Sequence, residues 1–375
     1  MPEWSVRFDC HIDLQAPEIV SLVAKVEALA QVIHGIPLPP GTQRRIDSLN
    51  IMRAVRGTTG IEGTEVSETE VERIIEARPG TQILAEARQR AELEVGNANR
   101  VMRFVASTLR SDPNRPVTEE LVCTLHRLTT EGIGYENNDP GAYRSHPVHA
   151  GIYTPPRTGE EVRRLMTEFI AWINVQTRDW PATVRAIAAH FYLISIHPFG
   201  DGNGRTARGL ESFLLYQGGV NARGFYSLAN YYYLNRSEYV AMLDHVRFNT
   251  GGDITPFMKF GLRGLVAEQT AVHQAILAEV TAMAFRDFAR EQLTVDGKLG
   301  SKPGERMFHF LLGLPDEPVL ASQLRRGGHP LSQLYRGVTP KTLSRDLNYL
   351  VKHRLIKVEN GRISANVDVM REFMP

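Results

Sequence analysis

Apolar residues recur at every third or fourth position through most of the chain, which is the spacing of helices that bury one face. The clearest example is the stretch from residue 160 to residue 176. The predicted helices cover residues 16–34, 42–56, 67–78, 84–109, 116–130, 160–176, 182–196, 203–217, 267–290, 305–312, 319–325 and 339–353, and another helix is predicted to begin at residues 253–257. The pattern therefore predicts a mostly α-helical fold.

Two stretches depart from the helical spacing. Residues 145–156 combine β-branched and aromatic side chains with prolines, which is typical of a short β-hairpin or an extended flap. Near the carboxyl end, Asn360-Gly361 separates two short β-capable segments, 356–359 and 362–364. An Asn-Gly pair between such segments is a strong signal for a hairpin.

The stretch from residue 197 to residue 208 reads His-Pro-Phe-Gly-Asp-Gly-Asn-Gly-Arg-Thr-Ala-Arg. A predicted helix precedes it and another begins near Asn203 or Gly204, so the motif is a glycine-rich loop between two helices. Glycines permit close backbone approach and positive φ angles. Successive N–H groups at the start of a helix lack intrahelical partners, and together they form a site for an anion.

Four side chains of this loop suit the transfer of a phosphate-containing group. Arg205 and Arg208 are three positions apart, so they lie on one helical face and can donate to phosphate oxygens. Asp201 offers a hard oxygen ligand for a Mg²⁺ ion that also contacts phosphates. His197 can accept a proton near neutral pH. Each feature alone fits a packed histidine, a tight turn or a surface ion pair equally well, and only their combination favours the transfer reaction.

The loop resembles the signature of the Fic family, H-x-F-x-[DE]-G-N-G-R-x-x-R, and matches it at every fixed position. Most members of that family transfer AMP from ATP to a Ser, Thr or Tyr hydroxyl of a target protein. The resemblance implies a Fic-type helical core in which the flap at residues 145–156 pairs with the target segment by strand addition. It also implies a protein adenylyltransferase that uses ATP and Mg²⁺.

The same resemblance assigns roles to individual residues. His197 takes the proton of the acceptor hydroxyl, and Asp201 holds Mg²⁺. The residues implied to contact the nucleotide are Gly202, Asn203, Gly204, Arg205, Arg208, Tyr239 and Asn249. For the aromatic cluster around Tyr239, packing in the core is the competing interpretation.

A second short pattern lies upstream, in Thr58-Thr-Gly-Ile-Glu62-Gly63. In Fic proteins that carry an N-terminal inhibitory helix, a similar motif places its glutamate against the second arginine of the signature. The resemblance therefore implies that Glu62 pairs with Arg208 and blocks the position of the γ-phosphate. A solvated glutamate at the end of a helix is the alternative interpretation.

Beyond residue 298 the composition becomes basic, with twelve Lys or Arg against seven Asp or Glu between residues 301 and 375. Three predicted helices and a hairpin resemble a winged helix-turn-helix domain, whose third helix enters the major groove of DNA. The residues that would then face DNA are Lys341, Thr342, Ser344 and Arg345. A docking or dimerisation module is the competing interpretation, because the excess of positive charge is modest.

A chain of 375 residues is expected to hold two or three domains. We expect an N-terminal helical region with the inhibitory motif at residues 1–100 and a Fic catalytic core with its following helices at residues 101–298. The winged-helix domain is expected at residues 299–375.

The overall composition excludes several classes of protein. A net charge of +1 gives no case for binding nucleic acid or a membrane through the whole chain. Two cysteines, Cys10 and Cys123, support neither a disulfide framework nor a thiolate metal site. The sequence shows neither a leader nor an apolar run that could span a membrane, which indicates a cytoplasmic protein. Dimers occur among similar proteins, so the resemblance also suggests a homodimer.

Two classes of function stay open from the sequence. The first is an adenylyltransferase that is autoinhibited by Glu62 against Arg208. The second is a nucleotide-sensing, DNA-binding regulator, which an intact His197 disfavours because nucleotide binding alone needs no general base. Within the enzyme class, transfer of another phosphate-containing group and removal of AMP also fit the motif.

Overall fold

The computed structural model of the protein describes residues 5–9, 11–64, 67–76, 86–220, 228–315 and 317–373. The chain divides into two compact units, Met1–Gln274 and Ala275–Pro375. Two of the predicted helix ends, Arg78 and Leu84, lie outside the described residues, as does Cys10.

The first unit is built from helices, as the apolar spacing predicts. Its helices are α1 (Pro17–Gly35), α2 (Pro40–Gly60), α3 (Glu68–Glu76), α4 (Glu86–Ser111), α5 (Glu119–Thr130), α6 (Gly159–Val175), α7 (Ala182–Ile196), α8 (Asn203–Gln217), α9 (Leu228–Leu234), α10 (Arg236–Asn249) and the first part of α11 (Thr255–Val295).

Helix α7 is buried along almost its whole length. Apolar residues occupy most positions of this helix and lie on all of its sides, and such a helix is stable only inside a core. The surrounding core is continuous from Ile19 in α1 to Leu265 in α11. Because α1 shares this core with α7 and α8, the predicted domain boundary at residue 100 does not separate two structural units.

The flap at residues 145–156 is an extended segment closed by a single pair of hydrogen bonds. Ala150 and Tyr153 exchange backbone bonds of 3.1 Å each, and Gly151 turns the chain with a φ of 62°. The described residues of this segment form an isolated bridge there and not a regular hairpin. Its three prolines, Pro147, Pro155 and Pro156, explain the difference, since proline lacks the N–H that a longer ladder would need.

The second unit combines the rest of α11 with shorter elements and a small sheet. Its elements are α12 (Lys302–Leu312), β1 (Val319–Leu320), α13 (Ala321–Arg326), a 3-10 helix (Pro330–Tyr335), α14 (Pro340–Lys352), β2 (Ile356–Glu359), β3 (Arg362–Ala365) and a second 3-10 helix (Val367–Phe373). The three strands are antiparallel in the order β1-β3-β2.

The predicted hairpin at Asn360-Gly361 is confirmed. Glu359 of β2 pairs with Arg362 of β3, and the two turn residues have φ angles of 49° and 73°. Positive φ at both central positions is the geometry of the two-residue turn that matches the twist of the strands.

The core of the second unit includes the last turns of α11. Phe285, Ala289 and Leu293 are buried together with Phe310 and Leu350. The predicted boundary at residue 298 therefore lies too late in the chain. The sequence suggested a boundary at residue 298 because the charge balance changes there. The packed core of the second unit, however, already includes α11 from Phe285 onward.

Candidate active site

The glycine-rich loop connects α7 to α8 with two residues in the left-handed region. His197 ends α7 with a φ of 51°, and Gly202 precedes α8 with a φ of 73°. At Gly202 a Cβ would lie 2.6 Å from the Cγ2 atom of Thr130, so only glycine fits this position without a shift. The loop is therefore held close against α5.

The orientation of the His197 ring follows from its hydrogen bonds. Nδ1 lies 3.1 Å from the carbonyl oxygen of Ile194. A carbonyl only accepts, so Nδ1 carries the proton and Nε2 carries the lone pair. Burial, together with the positive charges of Arg247 and Arg144, lowers the pKa of His197 to about 4. The imidazole is thus neutral at pH 7 and can accept a proton at Nε2.

Asp201 is held at three of its polar groups. Its N–H donates to Asn138 Oδ1 (2.9 Å), and its carbonyl oxygen lies 3.0 Å from His126 Nε2. Its Oδ1 accepts from the Nη2 atom of Arg205 at 2.9 Å and from the N–H of Gly202. The second carboxylate oxygen has no hydrogen bond within the described part of the chain, and the side chain is 43% exposed.

The free carboxylate oxygen of Asp201 suits a magnesium ion that is shared with phosphates. Among the described residues there is no group of three or more His, Cys, Asp or Glu that could enclose a metal by itself. Mg²⁺ prefers oxygen ligands and is commonly held by one or two carboxylates, water and substrate phosphates. One accessible carboxylate oxygen of Asp201 next to an anion site fits that pattern.

The side chain of Asn203 serves the loop itself. Its Oδ1 accepts from the N–H of Phe199 (2.9 Å), and its Nδ2 donates to the carbonyl of the same residue (3.0 Å). Asn203 is only 2% exposed. The expected contact of this side chain with a phosphate is therefore replaced by a structural role, and the free N–H groups of the first turn of α8 remain for an anion.

Arg205 is enclosed by a polar network and not directed into open space. Nη1 donates to the hydroxyl of Tyr135 (2.5 Å) and lies 3.5 Å from Glu94 Oε1, while Nη2 binds Asp201. The guanidinium is 6% exposed and also lies over the ring of Tyr135. The resemblance implies a phosphate contact for Arg205, whereas its observed partners orient Asp201.

The ion pair implied between Glu62 and Arg208 is present. Arg208 Nη2 lies 2.7 Å from Glu62 Oε1 and 3.0 Å from the carbonyl oxygen of Thr58, and Nε donates to the Thr58 hydroxyl. A Cβ at Gly204 would lie 2.4 Å from Glu62 Oε1, so the glycine allows the carboxylate to reach the first turn of α8.

The charges around Glu62 decide its ionisation. Burial acts to raise the pKa of this carboxyl, but the nearby guanidinium groups of Arg208 and Arg205 outweigh it and hold the pKa below its ordinary value. Glu62 is therefore ionised at pH 7. Its side chain keeps 37% of its surface exposed.

Tyr239 lies in the core and does not line an open site. It is 3% exposed, stacks on Tyr232 with ring centroids 4.6 Å apart, and its hydroxyl lies 2.9 Å from His190 Nε2. Burial raises its pKa to about 12. The expected contact with the nucleotide is thus wrong for this residue. The competing interpretation, core packing, applies because the hydroxyl already has a buried partner.

Asn249 is exposed, at the end of α10, and lines a groove of about 1,100 Å³ between that helix and the flap. Tyr153 of the flap also lines the groove, and its hydroxyl donates to the carbonyl of Ser195 at 3.0 Å. Ser195 lies two positions before His197, so the groove adjoins the loop. The expected contact of Asn249 with a nucleotide stays a prediction.

Three residues that the sequence did not single out as functional hold the site together. Arg144 donates to the carbonyls of His197 (2.7 Å) and Pro156 (2.7 Å), so it ties the flap to the loop. His126 binds the carbonyl of Asp201, and Glu94 lies against the guanidinium of Arg205. Their signal in the sequence is weak, because each lies on a different element far along the chain from the motif.

Four guanidinium groups lie in or beside the site, and carboxylates pair with Arg205, Arg208 and Arg247. Arg144, Arg205, Arg208 and Arg247 are each at least 94% buried within one region of the first unit. A buried cluster of this kind favours a polyanionic ligand, because the low local dielectric strengthens each attraction.

Within the described ranges, no helix is both long and apolar enough to cross a membrane.

Comparison with known families and proteins agrees with the motif. Residues 116–215 match the Fic/DOC family. Proteins named protein adenylyltransferase Fic are similar in sequence: that of Culex quinquefasciatus is 28% identical over 219 residues, covering 58% of this chain and 40% of the relative. That of Nematostella vectensis is 27% identical over 250 residues, covering 64% of this chain and 53% of the relative. The chain thus matches about half the length of these curated relatives, or less.

Solved structures share the fold. Fic-1 from C. elegans superposes with a TM-score of 0.56 at 24% identity, covering 69% of this chain and 73% of that protein. A Fic family protein from Desulfovibrio desulfuricans G20 gives a TM-score of 0.57 at 19% identity and covers 97% of this chain and 98% of that protein. At these identities the likeness concerns the fold alone.

Proposed function

Because residues 116–215 match the Fic/DOC family, we propose that the chain transfers AMP from ATP to a Ser, Thr or Tyr hydroxyl of a target protein. The observation that carries this proposal is the neutral imidazole of His197, which has Nε2 as its proton acceptor and lies on the loop that leads into the first turn of α8. A group that only binds nucleotide needs no such base, whereas transfer to a hydroxyl does.

In the proposed reaction, Nε2 of His197 takes the hydroxyl proton as the hydroxyl oxygen bonds to the α-phosphorus. The bond between the α-phosphorus and the bridging oxygen breaks, and pyrophosphate leaves with that electron pair. Free N–H groups in the first turn of α8 stabilise the charge on the α-phosphate. Asp201 would hold Mg²⁺, which neutralises phosphate charge when it is bound.

We also propose that Glu62 inhibits the reaction. Its carboxylate occupies Arg208, which would otherwise be available to the γ-phosphate, and adds a negative charge where phosphate oxygens would lie. A nucleotide could still bind, but with its triphosphate displaced from the productive arrangement. Activity then requires that the segment from Thr58 to Gly63 releases Arg208.

Incubation with Mg²⁺ and ATP labelled on the α-phosphate tests both proposals. We expect little transfer by the wild type and strong labelling of the chain itself or of extract proteins by Glu62→Gly. Glu62→Gly combined with His197→Ala should lose the label, and Glu160→Gly, an exposed glutamate on α6, serves as the matched control. If Glu62→Gly labels no protein, itself included, the adenylylation proposal fails.

The chemical nature of the added group separates the alternatives within the enzyme class. Mass spectrometry of modified peptides distinguishes AMP from another nucleotide or another phosphate-containing group. Incubation of an AMP-modified target with the wild type and with Glu62→Gly tests the removal of AMP. Loss of the group with the wild type only would assign removal to the state that contains Glu62.

A second proposal concerns the carboxyl-terminal unit, which we propose to be a winged helix-turn-helix domain that binds DNA. A groove of about 750 Å³ runs along α14 and α13. Five exposed cationic side chains line it: Arg325, Arg326, Arg336, Lys341 and Arg345. Within the described residues none of the five has an ion-pair partner, which leaves them available to phosphates.

Some cations elsewhere in this unit do have ion-pair partners. Arg354 pairs with Glu372, and Lys357 pairs with Asp368. Of the residues expected to face DNA, Lys341, Ser344 and Arg345 line the groove. Thr342 does not, and its hydroxyl lies 3.2 Å from that of Thr339 at the start of α14.

Fluorescence anisotropy with a labelled mixed-sequence duplex tests DNA binding. We expect binding at low salt, and the double variant Lys341→Gln with Arg345→Gln should reduce the salt slope by about 2, close to one per phosphate contact. The control, Arg354→Gln with Lys357→Gln, should leave the slope unchanged. No binding at low salt, or equal losses in both double variants, would rule out DNA binding through the groove.

A further inference from the structure

We infer that His126 is a positioning residue for Asp201, and through it for the cation that Asp201 would hold. The part of this inference that concerns the cation rests on the function proposed above. The part that concerns the loop rests only on contacts in the first unit. His126 lies on α5, outside the glycine-rich motif, and is 0% exposed.

Both nitrogens of the His126 ring are used, and their roles are fixed by their partners. The N–H of Gly141 donates to Nδ1 at 2.9 Å, so Nδ1 carries the lone pair. Nε2 therefore carries the proton, and it donates to the carbonyl oxygen of Asp201 at 3.0 Å. The ring thus joins two loops that are remote in sequence, with a defined donor toward the Asp201 peptide.

The ring itself cannot turn without disturbing the loop. It stacks on Phe199 with centroids 3.7 Å apart and planes at 5°. A Cβ at Gly202 would lie 3.6 Å from His126 Cδ2, which shows how closely the loop passes over α5. A side chain packed in this way on a regular helix is a rigid support for the peptide that it binds.

Three side chains converge on Asp201 and leave one carboxylate oxygen for a ligand. His126 holds the carbonyl, Asn138 holds the N–H and Arg205 holds Oδ1. Residues that orient a metal ligand in this way typically change metal affinity by 10- to 100-fold when they are replaced. His126 is the member of this set whose two hydrogen bonds can be separated by substitution.

A matched pair of variants separates those two bonds. In His126→Gln the side-chain amide reaches the position of Nε2, so it can still donate to the Asp201 carbonyl. In His126→Asn the amide reaches only the position of Nδ1, so it can accept from Gly141 but loses Asp201. If His126 positions Asp201, glutamine should rescue the loop and asparagine should not.

The experiment uses the full chain with Glu62→Gly, so that the anion site is open. Hydrogen–deuterium exchange is measured on peptides that cover residues 198–204 and, as a reference, α6. We expect faster exchange at 198–204 for His126→Asn only, with α6 unchanged in both variants. Equal exchange at 198–204 in the two variants, or faster exchange in α6 in both, would overturn the inference.

Binding of Mn²⁺ in the presence of α,β-methylene-ATP, followed by electron paramagnetic resonance, tests the consequence for the cation. We expect the Mn²⁺ dissociation constant to rise about tenfold for His126→Asn and to stay near the parent value for His126→Gln. Nucleotide binding without metal should be the same in all three proteins. Equal Mn²⁺ affinity in both variants would overturn the role toward the cation.

A failure of the proposed function gives a different result. If the Glu62→Gly parent binds no Mn²⁺ together with the nucleotide, the adenylylation proposal and the role toward the cation fail together. The exchange measurement then decides by itself whether His126 positions the loop.

Discussion

At the residue scale, the partners of Arg208 determine how much stability the protein loses when Glu62 is replaced. The guanidinium is 2% exposed and would lose a carboxylate at 2.7 Å while keeping Thr58. We expect Glu62→Gln to lower the free energy of unfolding by about 1–2 kcal/mol, between the values for exposed and buried pairs. Mg²⁺ and ATP should then raise the melting temperature more for the variant than for the wild type.

Differential scanning calorimetry with and without nucleotide measures both effects. Glu131→Gln is the matched control, because it breaks an exposed ion pair with Arg100 away from the anion site. Neither the melting temperature nor its shift by nucleotide should change appreciably in the control. A nucleotide shift of the same size in the wild type and in Glu62→Gln would contradict the idea that this carboxylate competes with phosphate.

The pKa of His197 makes a second prediction at this scale. Burial lowers this pKa to about 4, so the imidazole stays neutral, and able to accept a proton, from about pH 5 upward. The Glu62 carboxylate favours the charged imidazolium, so its removal lowers the pKa further. The transfer rate of Glu62→Gly should therefore show no acidic limb from His197 between about pH 5.5 and 8. A titration near the ordinary histidine value, about 6.5, would contradict this assignment.

The sequence predicts those residues of the site that lie close together in one short stretch of the chain. His197, Asp201 and Arg208 are recognisable because the chemistry and the spacing occur together within the loop. His126 and Arg144 are not, because they reach the loop from 75 and 53 positions away and only the tertiary fold brings them there. Tyr239 is the opposite case, because the resemblance assigned it to the nucleotide and the helical spacing does not reveal whether an aromatic ring faces a ligand or the core.

At the scale of elements, the segment from Thr58 at the end of α2 to Thr64 is held at both of its ends. Thr58 binds Arg208, the carbonyl of Ile61 accepts from Arg236 (2.9 Å), and the hydroxyl of Thr64 donates to Glu94. Glu94 is buried and also accepts from the hydroxyl of Tyr135. A bond from Thr64 to a buried carboxylate stabilises the position in which Glu62 covers Arg208.

Thr64→Val removes that bond without touching the motif. Hydrogen bonds to charged groups contribute about 1.5–3 kcal/mol, so we expect labelling by the variant to rise at least about tenfold over the wild type. Thr64→Ser keeps the hydroxyl and should behave like the wild type. The initial rate of label incorporation from ATP is the measurement, and equal rates for valine and serine would remove Thr64 from the inhibitory arrangement.

The apolar spacing predicts helices well where one face meets one core. Residues 160–176 were predicted as a helix, and α6 spans Gly159–Val175 with Thr158 as its cap. Helix α11 was predicted only in part, as a start near residue 255 and a segment at 267–290. Its first turns pack in the core of the first unit and its last turns pack in the other. Its apolar positions therefore do not keep to a single face.

At the scale of the whole molecule, the two cores define where the chain can be divided. A fragment of residues 299–375 follows the change in charge, but it lacks Phe285, Ala289 and Leu293. Those side chains are at most 5% exposed in the core of the second unit. Loss of a buried Phe or Leu side chain costs about 2–5 kcal/mol, and a small domain is stable by only about 5–15 kcal/mol.

We therefore expect residues 275–375 to fold alone and residues 299–375 to remain largely unfolded or loosely packed. Dispersion of amide signals in NMR spectra and a cooperative thermal transition by circular dichroism are the measurements. Leu277→Ala in the longer fragment is the control, because Leu277 is 42% exposed and its loss should leave the transition nearly unchanged. Folding of the shorter fragment with a similar transition would show that the last turns of α11 are dispensable, and that the change in composition at residue 298 marks the domain boundary after all.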